Sequence, residues 1–170
     1  MSMPAGADLH RACSRLIAAT VRILDGARMQ RERIIQRSDV APRLLEGSPY
    51  EVIDLTGQPG NDLDYYAYEL ARLQDAAREV VRVFGAPADV VAALACFDRS
   101  IPNLRSARNP LTHTTNDARL DDVAWFSSLV RLKPDGSTEE LIDPRYGHHD
   151  AAEDLAASLL AYLRLTLRTA

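Results

Sequence analysis

The chain has 170 residues, a formal net charge of −4 at pH 7, and a composition that is 46% hydrophobic and 26% charged. A chain of this length can bury a core without disulfides or a structural metal, so we predict one domain over residues 1–170. The acidic balance argues against a protein that coats nucleic acid. The longest purely apolar run, Val90–Phe97, is shorter than the roughly 18–20 residues that cross a bilayer. Met1–Leu9 lacks the basic and apolar regions of a secretory signal, so we expect a cytoplasmic protein.

The two cysteines, Cys13 and Cys96, lie far apart in the sequence, and neither belongs to a C-x-x-C pair. Each falls within a helix-like apolar pattern. We therefore predict two buried thiols rather than a disulfide or a zinc site.

Basic residues are concentrated in two stretches. The segment Arg11–Arg43 carries eight arginines against Asp25, Glu32 and Asp39, a local balance of 8 − 3 = +5. Arg99, Arg105 and Arg108 follow one another later in the chain with no acidic residue between them. The first stretch is typical of a solvated helix face, although it concentrates positive charge in an otherwise acidic protein.

The first helix is predicted from about Ala7 or Asp8 to about Arg37, because apolar residues recur there at intervals of three and four. Its apolar stripe consists of Leu9, Cys13, Leu16, Ile17, Thr20, Ile23, Leu24 and Ala27. Prolines and glycines interrupt the next segment, about 38–61, which we therefore expect to be an irregular loop.

The second helix is predicted to begin at Asn61 or Asp62 and to end at Gly85, which can adopt the left-handed conformation of a helix terminator. A third helix should run from Pro87 to about Arg99. This helix is apolar on nearly all sides, so we expect it to occupy the centre of the bundle.

A short fourth helix is predicted from Ile101 to about Arg108, and Pro110 should break it. Extended segments at Val123–Leu132 and Ser137–Ile142 flank a Lys-Pro-Asp-Gly turn and predict a β-hairpin at about 123–142. The last helix should begin at Asp150, with Glu153 completing a capping-box-like pair. The predicted fold is therefore all-α, a bundle of about five helices with a small β-hairpin inserted before the last helix.

Of the four histidines, only His113 lies in a dense polar segment, and Arg108 precedes it by five positions. Histidine exchanges a proton near neutral pH, and the planar guanidinium of arginine matches phosphate oxygens. Such a pair suits RNA transesterification without a metal. His113 would deprotonate the ribose 2′-hydroxyl, and Arg108 would stabilise charge on the phosphate oxygens.

The segment Arg108-Asn109-Pro110-Leu111-Thr112-His113 resembles the R-x4-6-H motif of HEPN domains, in which a polar residue such as Asn109 commonly follows the arginine. The resemblance covers about residues 62–168. It implies a small helical bundle in which two protomers bring their motifs together across a homodimer interface. Many HEPN domains are metal-independent endoribonucleases of toxin–antitoxin, abortive-infection or CRISPR-linked defence systems, and others bind RNA or protein partners without cutting.

Two features differ from the family pattern. Pro110 lies inside the motif, and Thr115 stands where some toxins of the family carry a tyrosine that a partner nucleotidyltransferase modifies. The alternative is a purely structural role, in which Arg108 pairs with Asp117 or Asp121 and His113 caps or hydrogen-bonds a loop.

We therefore expect an endoribonuclease of a toxin–antitoxin or antiphage defence system, with no cofactor and no metal. A non-catalytic RNA-binding or protein-interaction module, such as an antitoxin, an immunity protein or a regulatory subunit, is the alternative. The expected partners are RNA, a second copy of the chain and a cognate antitoxin or other protein. The expected catalytic residues are Arg108, His113 and Asn109, and the expected RNA-binding residues are Arg105, Arg99 and Thr112.

Two other groups of residues could bind ligands. His148-His149-Asp150 could form a metal site with Asp121, Asp122 or His113. Adjacent histidines in a strand or loop face different sides, however, and the predicted capping role of Asp150 already accounts for that residue. Tyr65 and Tyr68 could stack on nucleobases, whereas the helical period places Tyr66 in the core.

Overall fold

The computed structural model describes residues 6–38, 60–102, 104, 122–125, 128–132, 138–145 and 147–169. This part of the chain is mainly helical, as the sequence predicts. It contains four helices and three short strands. The helices are α1 (Gly6–Ser38), α2 (Gly60–Val83), α3 (Ala88–Ser100) and α4 (Gly147–Thr169), and the strands are β1 (Asp122–Trp125), β2 (Ser128–Leu132) and β3 (Thr138–Ile142). Most of the predicted loop at 38–61 and most of the predicted helix that starts at Ile101 lie outside the described residues.

Helices α1 and α2 pack side by side in opposite directions. Nη1 of Arg33 lies 3.9 Å from Oδ1 of Asp62 near one end of the pair. Further along, Gly26 lies against Glu69, where a Cβ atom added to the glycine would come within 3.2 Å of the glutamate Cδ. The predicted apolar stripe of α1 is confirmed, because its members are all buried or half-buried against the core.

The end of α2 follows the predicted termination. Gly85 has a φ of +75°, and the next residue, Ala86, also has a positive φ of 58°. The Ala86 N–H donates to the carbonyl of Val81 at 2.9 Å, a bond that satisfies one of the last carbonyls of the helix.

Helix α3 differs from its predicted central position. Only Val90 and Phe97 are buried, whereas Val91 is 40% exposed and Cys96 is exposed. The prediction of two buried thiols is therefore wrong for Cys96 and confirmed for Cys13. Small apolar residues on all sides of a helix do not indicate which side packs, and α3 lies at the edge of the bundle against α4.

The three strands form one antiparallel sheet in the order β1-β2-β3. The predicted extended segment at 123–132 corresponds to two strands, with Val123 paired to Val130, and a register shift follows Leu129 where β2 pairs with β3. A short turn, Asp143–Arg145, then leads from β3 into α4.

Helix α4 begins at Gly147, three residues before the predicted start at Asp150. It packs mainly on α1 and α3. The helical period predicts a buried face of Ala152, Leu155, Ala156, Leu159, Leu160 and Leu163, and all of these except the half-buried Leu160 are buried, together with His149. None of the described helices is both long and apolar enough to cross a membrane.

Candidate functional site

The residues of the Arg–His motif fall outside the described part of the chain. This applies to Arg105, Arg108, Asn109, Thr112 and His113, whose expected roles stay predictions. Arg99 is described and lies exposed in the last turn of α3, where its Nη2 donates to Sγ of Cys96 at 3.1 Å.

The described residues do contain a polar cluster at the start of α4, where α1, α2 and the turn after β3 meet. Hydrogen bonds within the turn and to α4 and α1 hold this turn in place. The N–H of Asp143 donates to Nδ1 of His148 at 3.0 Å, and the Asp143 carboxylate, 1% exposed, accepts the N–H of Arg145 at 2.8 Å. From α1, Nε of Arg31 donates to the carbonyl of Pro144 at 2.8 Å.

His149 is the centre of this cluster. Its side chain is 6% exposed, and the hydroxyl of the fully buried Tyr66 lies 3.2 Å from its Nδ1. When the hydroxyl donates to Nδ1, the neutral ring carries its proton on Nε2, which lies 3.6 Å from Oε1 of Glu153. Oε1 of Glu153 in turn accepts from Nε of Arg28 at 2.9 Å. One chain of polar contacts therefore links α2, α4 and α1.

The electrostatics of the cluster favour a neutral imidazole. Burial lowers the pKa of His149 below its ordinary value of 6.5, and the guanidinium groups of Arg31 and Arg28 add to that effect, while Glu153 opposes it. The hydrogen bond from Arg28 lowers the pKa of Glu153. Burial raises the pKa of Tyr66 far above 10. At neutral pH the cluster therefore holds a neutral His149 beside an ionised Arg28–Glu153 pair.

A small cleft of about 270 Å³ opens onto this cluster. It is lined by Arg28, Arg31, Glu32, His149, Asp150 and Glu153. A neutral imidazole beside a guanidinium has the right groups for acid–base chemistry, but the three carboxylates give the cleft a negative formal balance that disfavours a phosphate. The contacts instead favour a structural role for the cluster, because they join three helices to the turn between β3 and α4.

The two histidines of the candidate metal segment His148-His149-Asp150 have different surroundings. His148 accepts a backbone N–H from the preceding turn, while the next residue, His149, is buried against α2. Within the described ranges, no group of three or more His, Cys, Asp or Glu side chains is arranged to hold a metal ion.

The arginines of α1 form ion pairs along and between helices. Arg11 pairs with Asp8 at 2.6 Å, and Arg33 lies near Asp62 of α2. These pairs support a solvated, internally balanced face for this stretch more than a continuous surface for RNA.

The tyrosines of α2 lie as the helical period predicts. Tyr66 is fully buried, whereas Tyr65 is 60% and Tyr68 is 41% exposed. The guanidinium carbon of Arg72 lies 5.7 Å from the Tyr68 ring centroid. On the same helix, burial raises the pKa of Asp64 to about 6.

A larger groove of about 550 Å³ runs between α1 and α4. Its walls are mostly apolar, with charged residues along the rim. The lining residues are Val21, Leu24, Asp25 and Arg28 of α1, and Glu153, Asp154, Ala157, Leu160, Ala161 and Arg164 of α4. Sequence periodicity did not reveal this groove, because a helix pattern does not show how closely two helices approach.

Comparisons with protein-family models, with curated proteins and with solved structures return no match for this chain. The resemblance to HEPN domains therefore rests on the residues of the Arg108–His113 motif.

Proposed function

We propose that this chain is a metal-independent endoribonuclease of a toxin–antitoxin or antiphage defence system, built as a HEPN-like bundle of about five helices with a small antiparallel sheet inserted before the last helix. The observation that carries the proposal is the segment Arg108-Asn109-Pro-Leu-Thr-His113 in a mainly helical chain. In sequence order the motif follows α3 and precedes the last helix, which is the order that the resemblance implies.

In the proposed reaction, His113 accepts the proton of a ribose 2′-hydroxyl as the 2′-oxygen attacks the adjacent phosphorus. The bond from phosphorus to the 5′-oxygen breaks, and the leaving oxygen takes up a proton. Arg108 stabilises the charge that develops on the phosphate oxygens, and Asn109 orients the histidine or the phosphate. The products are a 2′,3′-cyclic phosphate and a 5′-hydroxyl, and no step requires a metal.

The proposed contacts with RNA lie around this pair. Arg105, Arg99 and Thr112 hold the phosphate backbone, and a homodimer brings two motifs together. The exposed position of Arg99 at the end of α3 is compatible with a contact of this kind. A cognate antitoxin or another protein would restrain the activity.

The proposal is tested by RNA cleavage in the presence of EDTA. We expect His113→Ala and Arg108→Ala each to lower the rate by about 100-fold or more, since a general base and an oxyanion donor each contribute about that much. His10→Ala and Arg82→Ala are matched controls, because both residues are exposed on described helices and neither belongs to the motif. Unchanged cleavage in His113→Ala, or cleavage by none of the folded proteins, would contradict the proposal.

A non-catalytic RNA-binding or protein-interaction module is the second candidate. The exposed, mostly apolar groove between α1 and α4 favours it, because such a surface suits a protein contact. For this function, expression of the wild type would not arrest growth, and His113→Ala would change nothing. Growth arrest that disappears in His113→Ala would instead support the ribonuclease.

A further inference from the structure

The exposed side of α4 carries an apolar residue that nothing in the described structure covers. Leu165 is 61% exposed, the highest value among the large apolar residues that are exposed. On the same side of the helix, Ala157 and Ala161 are exposed and line the groove that α4 forms with α1. The surface therefore offers both a projecting leucine and an apolar groove beside small residues.

The positions of these residues are symmetric about Ala161. Ala157 lies four residues before Ala161, and Leu165 lies four residues after it. Suppose that two copies of α4 cross in opposite directions about a two-fold axis at Ala161. A residue that lies a given number of positions before Ala161 in one copy then faces the residue that lies the same number of positions after Ala161 in the other copy. Leu165 of each copy would then face Ala157 of the other copy and enter the groove beside Val21.

The charges have the same symmetry. Asp154 lies seven residues before Ala161 and Arg168 lies seven residues after it, so both fall on the same side of the helix as Ala161. Both side chains are exposed, and neither has an ion-pair partner among the described residues. In the antiparallel arrangement Asp154 of each copy would lie opposite Arg168 of the other, which gives two complementary pairs.

We propose that this face of α4 is a homodimer interface, in which two copies of α4 cross in opposite directions about Ala161 and each Leu165 enters the groove between α1 and α4 of the other copy. The proposed function requires a homodimer that brings two Arg108–His113 motifs together, and this inference adds to it a surface on the described helices that joins the two copies. It depends on α4 and α1 alone and holds whether or not Arg108 and His113 cleave RNA.

The size of the face sets the expected strength of association. From Asp154 to Arg168 the helix is about 21 Å long, and Val21 and Asp25 of α1 lie alongside. A contact of one helix pair with its flanking residues lies at the small end of stable interfaces, so we expect a dimer that dissociates on dilution.

The test is the mass of the full-length chain in solution, measured by sedimentation equilibrium over a range of concentrations. We expect a monomer–dimer equilibrium for the wild type. We expect Leu165→Asp to weaken it by at least about 30-fold, because the carboxylate would be buried in an apolar groove. Val91→Asp is the matched control, since Val91 is 40% exposed on α3, and it should dimerise as the wild type does. Circular dichroism checks that each variant is folded.

Two further variants test the register. Asp154→Arg and Arg168→Asp should each weaken the dimer, and the double variant should restore it because both pairs re-form with opposite sign. In a Cys96→Ser background, Ala161→Cys should form a disulfide-linked dimer under mild oxidation, whereas Val91→Cys should not. Cys96 must be replaced because its thiol is exposed.

A wild type that stays monomeric at all concentrations overturns the proposal. So does a dimer that persists unchanged in Leu165→Asp, because another surface must then join the copies. A monomeric wild type would also contradict the homodimer of the proposed function, whereas a dimer that forms without any RNA cleavage would leave this result unaffected.

Discussion

His149 should make the stability of the fold depend on pH in a defined direction. Its imidazole is buried in the native state beside Tyr66 of α2, and burial together with Arg31 lowers its pKa below 6.5. The charged and titratable groups around it are Tyr66, Arg28, Arg31, Glu32, Asp150 and Glu153. In the unfolded chain the pKa returns to about 6.5. The native state therefore binds the proton less readily than the unfolded state does.

The sign of the effect follows from this difference. Above pH 6.5 His149 is neutral in both the native and the unfolded state, so the stabilisation that is linked to its lowered pKa has its full value. As the pH falls below that value, the unfolded state takes up the proton first, and the free energy of unfolding decreases by at most about 1.4 kcal/mol per pH unit. The decrease ends below the native pKa, where both states are protonated.

The variant His149→Gln isolates this contribution, because glutamine does not titrate and its Oε1 can still accept the Tyr66 hydroxyl. We would measure urea unfolding of the wild type and the variant between pH 5 and pH 8. The free energy of unfolding of the wild type minus that of the variant should decrease as the pH falls. A difference that stays constant between pH 8 and pH 5 would refute the reasoning.

Three further predictions concern the packing of the helices, each measured by urea unfolding at pH 7. Tyr66→Phe should lower the free energy of unfolding by about 1–3 kcal/mol, because Nδ1 of buried His149 loses its donor; an unchanged value would show that the bond contributes nothing. Ala86→Gly should raise it by about 0.5–1 kcal/mol, since φ is 58° and glycine adopts that angle freely; a decrease would contradict the strain. Leu159→Ala, at a fully buried position of α4, should lower it by about 2–5 kcal/mol, whereas Val91→Ala at an exposed position should change it by less than about 0.5 kcal/mol; similar losses would contradict the assigned burial.

The helix faces that combine large apolar residues with a regular period were predictable from the sequence. The stripe of α1 and the termination of α2 at Gly85 follow from spacing and from the conformational freedom of glycine. The position of α3 was not predictable in this way. Its alanine-rich surface does not indicate which side of the helix packs against the bundle, and its location at the edge depends on how α4 packs.

The buried position of His149 shows where a sequence signal was present but hidden. His149, Ala152 and Ala156 continue the helical period of the α4 core backwards, but a helix assumed to start at Asp150 excludes the histidine. The contact between Arg28 and Glu153 could not be predicted, because it joins residues 125 positions apart. The same is true of the groove between α1 and α4, which depends on the distance between two helices rather than on either pattern.

The central claim is the metal-free attack of a ribose 2′-hydroxyl, and the chemical ends of the RNA products test it most directly. RNA cleaved by the wild type in EDTA should carry a 2′,3′-cyclic phosphate and a 5′-hydroxyl, and His113→Ala should give no such product. A 3′-hydroxyl with a 5′-phosphate, or cleavage that stops when EDTA is added, would contradict the claim.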